Sequence, residues 1–366
     1  MTFSLSPRFA LEAGRWFKLI CGASFQHLPA VRNLALVYSL AGADCVDVAA
    51  DPAVIAAAQA GLAAAQRLSG RDRPWLMVSL NAGEDPHFRK AEFDPACCPP
   101  DCPRPCAAIC PAAAIPRTPL GGVSEARCYG CGRCLPVCPQ QLITSRTYVA
   151  APGAIAPLLR DSGLAALEIH TQVGNVEGFQ RLWAAIAPWA DRLQLLAVSC
   201  PDGPDLANYL RAIAQELAPF PGLLLWQTDG RPMSGDLGKG ATRAAVRLAQ
   251  RVLGFNLPGY VQLAGGTNAY TAPKLATLGL LKPPRQGGVA GVAYGSAARS
   301  LLAPYLEQLE ALWSTAGRVA APELEQHPAL LAAAVTEAER FVTSLKGNPS
   351  PSPVLTRDSL YGKSQQ

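Results

Sequence analysis

Nine of the chain's twelve cysteines fall between Cys97 and Cys138. The later ones are Cys128, Cys131, Cys134 and Cys138, the last followed by Pro139, a C-x2-C-x2-C-x3-C-P run. This is the bacterial ferredoxin spacing for an iron–sulfur cluster. Three thiolates two residues apart wrap one side of a cuboidal cluster, and Gly130 and Gly132 let backbone N–H groups approach its sulfides. The fourth cysteine turns away and serves a second cluster. Zinc is the alternative for clustered cysteines, but structural zinc sites use pairs of ligands rather than a triple run.

The earlier group is Cys97, Cys98, Cys102, Cys106 and Cys110. Its end, Cys106-x3-Cys110-Pro111, fits the run, whereas Pro100 and Pro103 stand where further cysteines would be wanted. Crossover of the fourth ligand assigns one cluster to Cys110, Cys128, Cys131 and Cys134. The other falls to Cys102, Cys106, Cys138 and Cys98, with Cys97 as the alternative to Cys98. At least one cluster is expected to be 4Fe–4S; the other, on a longer and proline-stiffened loop, is 4Fe–4S or 3Fe–4S. Arg104, Arg127 and Arg133 flank these cysteines and are expected to be exposed. Cys21, Cys45 and Cys200 read as small buried hydrophobes.

These ligands need a scaffold. Eight apolar strand-like runs are legible: Lys18–Cys21, Cys45–Ala49, Trp75–Leu80, Ala165–His170, Leu193–Ser199, Leu223–Gln227, Tyr260–Ala264 and Val289–Tyr294. Helical periodicity fills segments between them, such as Leu28–Leu40, Asp51–Leu68, Val176–Trp189 and Lys239–Leu253. Continuous apolar strands alternating with helices predict a parallel sheet covered by helices. The repeat is regular except between the third and fourth strands, and removing 85–147 restores it there. Eight βα units in roughly 250 residues is the size of a TIM barrel. The predicted fold is therefore α/β, a TIM-like (βα)8 barrel over 1–84 and 148–316, with a two-cluster ferredoxin-like module inserted at 85–147. Residues 317–366 are expected to form a C-terminal helix, Glu323–Leu345, and a disordered tail. The insert follows strand three, at the face where function resides in such barrels.

Other candidates are weaker. Gly265 and Gly266 after strand seven, and Gly295 and Ser296 after strand eight, could cradle the phosphate of FMN with backbone N–H groups. Glycine and serine also simply serve tight turns and N-caps. Asn268 and Arg299 could assist. The loop Asp229–Lys239 could face a site, with Arg231 and Lys239 available for an anion. His170 ends strand four and points to the mouth, although a structural histidine is the plainer reading. No Ser/His/Asp set or paired carboxylates can be argued at a fixed spacing.

Composition narrows the class. Apolar residues make up 49% and charged residues 16%, and the net charge is +5, with no basic stripe. A core is assured, and a nucleic-acid binder is disfavoured. No apolar run reaches the ~18–20 residues of a membrane span. The N-terminal segment, interrupted by Pro7, Arg8, Glu12 and Arg15, is a poor secretory signal, so a cytoplasmic protein is expected.

The stretches FKLICGASFQHLPAVRNLALVYSLAGADCVDVAAD, EIHTQVG and WQTDGRPMSGDLGKG, set around the cysteine block, resemble the cyanobacterial light-dependent period protein family. The resemblance reaches to about Ala316. It implies an iron–sulfur, redox-sensing regulator that relays redox or light state to the circadian clock, with partners among clock-input proteins or electron carriers. It also supports the cluster ligands named above. A sensor or electron-transfer protein is expected rather than a catalyst with its own substrate. The alternative is an iron–sulfur flavin oxidoreductase, its clusters passing electrons to FMN in the barrel.

Overall fold

A computed structural model describes residues 6–110, 112–118, 121–147, 159, 163–231, 240–315 and 323–347. The barrel strands are β1 Trp16–Gly22, β2 Cys45–Ala49, β3 Trp75–Asn81, β6 Ala166–His170, β7 Leu195–Pro201, β8 Leu223–Asp229, β9 Tyr260–Ala264 and β10 Gly291–Tyr294. They close in the cyclic order β1-β2-β3-β6-β7-β8-β9-β10, all neighbours parallel. All eight strands read from the sequence are present, Cys45–Ala49 and Tyr260–Ala264 with the same bounds and the others with ends shifted by at most two residues. Two further strands, β4 Arg89–Glu92 and β5 Thr144–Thr147, form a separate antiparallel ribbon between β3 and β6.

Helices α1 Pro7–Glu12, α2 Leu28–Leu40, α3 Pro52–Ser69, α6 Val176–Ile186, α7 Leu206–Glu216, α8 Thr242–Leu253, α9 Thr271–Thr277 and α10 Ser296–Thr315 accompany the barrel. Their ends are written in the chain. Asp51 caps α3 by accepting from the backbone N–H of Ala53 and Val54, Pro52 opens it, and Gly70 at φ 66° closes it. The long C-terminal helix, α11 Pro328–Lys346, begins later than predicted because Leu324–Gln326 form a 3-10 turn first and Pro328 starts the α-helix. Phe341 on α11 meets Phe17 of β1 edge-on at 5.8 Å. The predicted tail, 348–366, lies outside the described residues, as does 232–239 of the loop after β8.

Two apolar layers hold the barrel. The larger lies between strands and helices and includes Phe17, Leu19, Val46, Val48, Val78 and Leu167. The smaller plugs the amino-end interior with Leu11, Trp16, Met77, Leu195 and Leu225 among others. Leu11 comes from α1, so the N-terminal helix stoppers this end. Cys21, Cys45 and Cys200 are all buried, as predicted.

Candidate functional site

The β4–β5 ribbon carries the cysteine loops. Its register runs from Arg89 opposite Thr147 to Glu92 opposite Thr144, so the loops between hang from one short stem. Two short helices lie in them, α4 Pro105–Ile109 and α5 Cys134–Val137. Each ends at a cysteine that precedes proline: Cys110 and Cys138 are both extended, at φ −72°. A following proline crowds the helical conformation of the residue before it, which explains both stops.

Cys110, Cys128, Cys131 and Cys134 line one cavity with Ala91, Ala114, Ile115 and Val123. These are the cysteines grouped together by the ferredoxin spacing. Gly130 has φ +71°, and a Cβ there would stand 2.2 Å from the Arg89 carbonyl oxygen. Only glycine fits this close approach of the cysteine loop to the ribbon. Backbone N–H groups face the sulfurs: Ala91 N is 3.4 Å from Cys128 Sγ, and Ala114 N is 3.3 Å from Cys110 Sγ. Four thiols around a small-residue cavity, with amides aimed at sulfur, are a donor set that fits an iron–sulfur cluster.

Elsewhere in the insert, Cys98 hydrogen-bonds with Cys102. Cys97 is exposed, and its Sγ faces Asp94 Oδ2 at 3.7 Å. The geometry therefore separates the two adjacent cysteines. Burial would raise the Cys138 thiol, but the backbone N–H groups of Leu142, Gln140, Ile143 and Gln141 outweigh it and hold the thiol below its ordinary pKa.

One expectation fails here. Arg104 is only 4% exposed. It adopts a left-handed conformation ahead of α4, donates to the Gly121 carbonyl at 2.5 Å, and lies 5.8 Å from the Phe93 ring centre. The loops fold around this side chain, so it organises them instead of facing solvent. Arg127 and Arg133 are half-buried, and Arg127 pairs with Glu310 of α10 at 2.8 Å.

The carboxyl-end interior of the barrel is charged, which the sequence reading missed. Lys18 is fully buried. Its Nζ pairs with Glu168 and lies 3.3 Å from Asp47 and 3.0 Å from Gln227 Oε1. Gln262 donates to Gln227 Oε1 at 2.6 Å, and Gln227 donates to Glu168 at 2.7 Å. Ser79 donates to Asp47 at 2.8 Å, and Ser199 donates to Asp229. The groups come from seven strands, Gln227 and Asp229 sharing β8, and parallel register places Asp47 opposite Met77, Ser79 opposite Glu168, and Gln227 opposite Gln262.

This packing sets the protonation. Burial alone would lower the Lys18 pKa, but Asp47 and Glu168 reverse that and hold it charged. Burial pushes Asp47 up to about 6 despite Lys18. Burial opposes ionisation of Glu168 as well, yet Lys18 and His170 bring it down to about 2. His170 Nε2 stands 2.9 Å from Glu168 Oε1, and its Nδ1 is 3.5 Å from Asp85 Oδ2. His170 thus belongs to a polar network rather than serving as an isolated core histidine.

Above this layer is a mouth cavity of about 60 Å³, measured as space open to the centre of a water molecule. That volume suits a few waters or a small ligand. Gly265, Thr267, Gly295, Ser296 and Arg299 contribute to its walls. Gly266 instead serves the turn: at φ +92°, its Cβ would be 2.8 Å from the Ala241 carbonyl. Asn268 Oδ1 accepts from Tyr270 N at 2.9 Å in the following turn. Of the loop after β8, Asp229 reaches the cavity, whereas Lys239 lies outside the described residues. Arg299 spans the remaining wall. Its Nη1 donates to the carbonyls of Ile20 and Cys21, each at 2.9 Å, and its guanidinium lies 4.1 Å from the Tyr129 ring centre. Tyr129 and Cys131 line both this cavity and the cysteine cavity, so the two compartments share a wall.

Residues 98–149 match the LdpA Fe-S cluster-binding domain, and residues 158–344 match the Light dependent period A C-terminal domain. A relative named Light dependent period A, from Synechococcus elongatus, is 56% identical over 340 residues, covering 93% of this chain and 94% of the relative. The chain belongs to the light dependent period A family. Among solved structures, it is similar to wild-type GGGPS from Thermoplasma volcanium at TM-score 0.38 and 9% identity, covering 83% of this chain and 97% of that one. It is also similar to (S)-3-O-geranylgeranylglyceryl phosphate synthase from Thermoplasma acidophilum at TM-score 0.40 and 12% identity, covering 94% and 99%. The barrel assignment rests on the closed strand order and not on these scores. The light dependent period A iron–sulfur region begins at residue 98, and the charged strand ends from Glu168 onward fall in the family's C-terminal domain. Among the described residues, no helix is long and apolar enough to cross a membrane.

Proposed function

We propose that the chain is a redox-sensing iron–sulfur regulator of clock input, with 85–147 as its redox module and 1–84 with 148–316 as the barrel beneath. Cys110, Cys128, Cys131 and Cys134 would hold one 4Fe–4S cluster. Cys98, Cys102, Cys106 and Cys138 would hold the other, 4Fe–4S or 3Fe–4S, with Cys97 as the lesser alternative to Cys98. Each cluster, when bound, supplies a site that takes one electron from a cellular electron carrier and returns it. Beyond 316, helix α11 packs on that barrel through Phe341, and the setting is the cytoplasm. The observation that carries this reading is the wall shared by the cysteine cavity and the barrel mouth, made by Tyr129 and Cys131.

A charge change on the cysteine side acts across that wall. Arg299 lies against Tyr129 and ties it to the end of β1, while the Lys18–Glu168–His170 layer lies below. The surface around half-buried Arg133 is where a protein partner would meet the altered field, within a Debye length of about 8 Å. A useful switch requires about 1–3 kcal/mol of coupling, a 5–150-fold affinity difference. Anaerobically purified protein should contain about eight irons, or about seven with one three-iron cluster. Cys131→Ser should remove one cluster and spare the other, and Cys102→Ser should do the reverse. Pull-downs with oxidised, reduced and cluster-free protein should recover different partners, and Arg133→Glu should blunt the difference. Identical recovery in all three states would reject the sensor.

The second reading, an FMN-dependent oxidoreductase, draws on Gly265, Gly295, Ser296 and Arg299 at the mouth. The small cavity ranks it below the sensor. FMN titration of cluster-replete protein tests it, with Gly295→Asp expected to abolish any stoichiometric yellow complex.

A further inference from the structure

The loop after β3 and the end of β6 meet at the barrel mouth. Asp85 caps the turn Pro86–Phe88, its Oδ1 accepting from His87 N at 2.7 Å. The carboxylate and the His87 ring are thereby held together, with Oδ1 2.8 Å from His87 Nδ1. His170 ends β6 in register with Asn81 of β3, which brings its ring to 5.0 Å from that of His87, centre to centre. We propose that Asp85, His87 and His170 bind one divalent transition-metal ion, separate from the cysteine sites.

Each of the three offers one ligand atom, and these atoms lie within 4.8 Å of one another. Tetrahedral zinc with ligands at about 2.0–2.2 Å needs them roughly 3.4 Å apart, so an ion would draw the set together by about an ångström. Two imidazoles and one carboxylate suit zinc or ferrous iron rather than calcium or magnesium.

The second observation is the state of His170. Its Nε2 faces Glu168 Oε1 at 2.9 Å, and a carboxylate oxygen at that distance calls for a proton on Nε2. In the neutral ring, Nδ1 then carries a bare lone pair. This Nδ1 is buried and has no hydrogen-bond partner. It faces the Asp85 carboxylate at 3.5 Å. A lone pair and an anion confronting each other in a buried site require a cation between them, either a proton or a metal. Without a metal that cation is a proton, and His170 forms a histidinium–carboxylate pair with Asp85 across 3.5 Å, with His87 bonded to the same carboxylate. A metal ion uses all three groups. Glu168 would then orient the ligating histidine, as carboxylates do behind metal-bound imidazoles. His87 and His170 both line the mouth cavity, so the ion would be reached from it.

The test uses the full chain with its clusters intact, handled anaerobically and freed of loosely held metal. Zinc ion alone is titrated by calorimetry, and zinc and iron are counted after desalting. Zinc is the probe because two imidazoles and a carboxylate are among its ordinary ligands. One zinc per chain is expected beyond the cluster iron, with iron content unchanged. His87→Gln changes a partly exposed residue on a turn and should fold; it and Asp85→Asn should weaken binding at least about 100-fold. Glu168→Gln should weaken it 10–100-fold. Anomalous scattering at the zinc edge should peak between the two histidines. No zinc retained by the wild-type chain would overturn the site and leave a histidinium–carboxylate contact. Equal retention by His87→Gln would also overturn it, because the ion would then lie on cysteines.

Discussion

The barrel and its insert are held together by different means. The barrel buries apolar side chains on both faces of its strands and stoppers its amino end with Leu11 and Trp16. Among the described residues, the insert's buried cluster is seven: Ala91, Cys106, Ala114, Ile115, Cys128, Cys134 and Ile143. Three of these are cysteines and two are alanines, which leaves little apolar surface to offset the entropy of ordering the loops. One region is stable through packing, while the other depends on what its cysteines bind, as in small metal-dependent domains.

The largest expected effect breaks this comparison open. Chelating iron from the full chain should accelerate amide exchange across 89–147 by at least about 100-fold and leave the barrel strands protected. An insert that keeps its protection would mean that its small core suffices. Next, Lys18→Met removes the cation buried against Asp47 and Glu168. The barrel should lose about 3–5 kcal/mol in denaturant unfolding, as for a broken buried pair, with iron content unchanged. Loss of the clusters along with stability would show that the two regions are not separate units.

A third effect lies at the far end of the barrel. Asp44 accepts from Phe17 N at 2.8 Å and from Lys346 at 2.7 Å, and burial pushes its pKa up to about 6 despite the lysine. The folded chain thus binds this proton more tightly than the unfolded chain, with its ordinary value of about 3.9. From this group, stability should rise by about 1 kcal/mol as pH falls from 7 to 5. Urea unfolding of wild type and Asp44→Asn at both pH values isolates the term: the variant should lack the rise. The smallest effect is at the seam. Glu310→Gln removes the partly exposed pair with Arg127 and should cost under about 1 kcal/mol, seen as faster exchange near residue 127 and not in the barrel core.

The elements were readable because the strands are continuous apolar runs and the cysteines keep ferredoxin spacing. The charged layer was not, because Lys18, Asp47, Glu168 and Gln227 each come from a different strand and are separated by tens of residues. The trace was one or two polar letters in each apolar run, as in KLIC, CVDVA and ALEIH. Closing the barrel turns those letters into neighbours. Arg104 was misread for a related reason: a basic residue amid prolines suggests surface, and nothing local reveals that Gly121 and Phe93 will enclose it.

The ribbon of β4 and β5 has a consequence for how such a molecule could arise. Arg89 pairs with Thr147, so the two ends of the cysteine-bearing segment stand side by side. A single genetic insertion into the loop after β3 could therefore graft a redox module onto an existing barrel without disturbing the parallel pairing of β3 with β6. Ancestry can then differ between the two parts of one chain: the barrel's lineage need not have included iron, and the module's lineage need not have included a barrel.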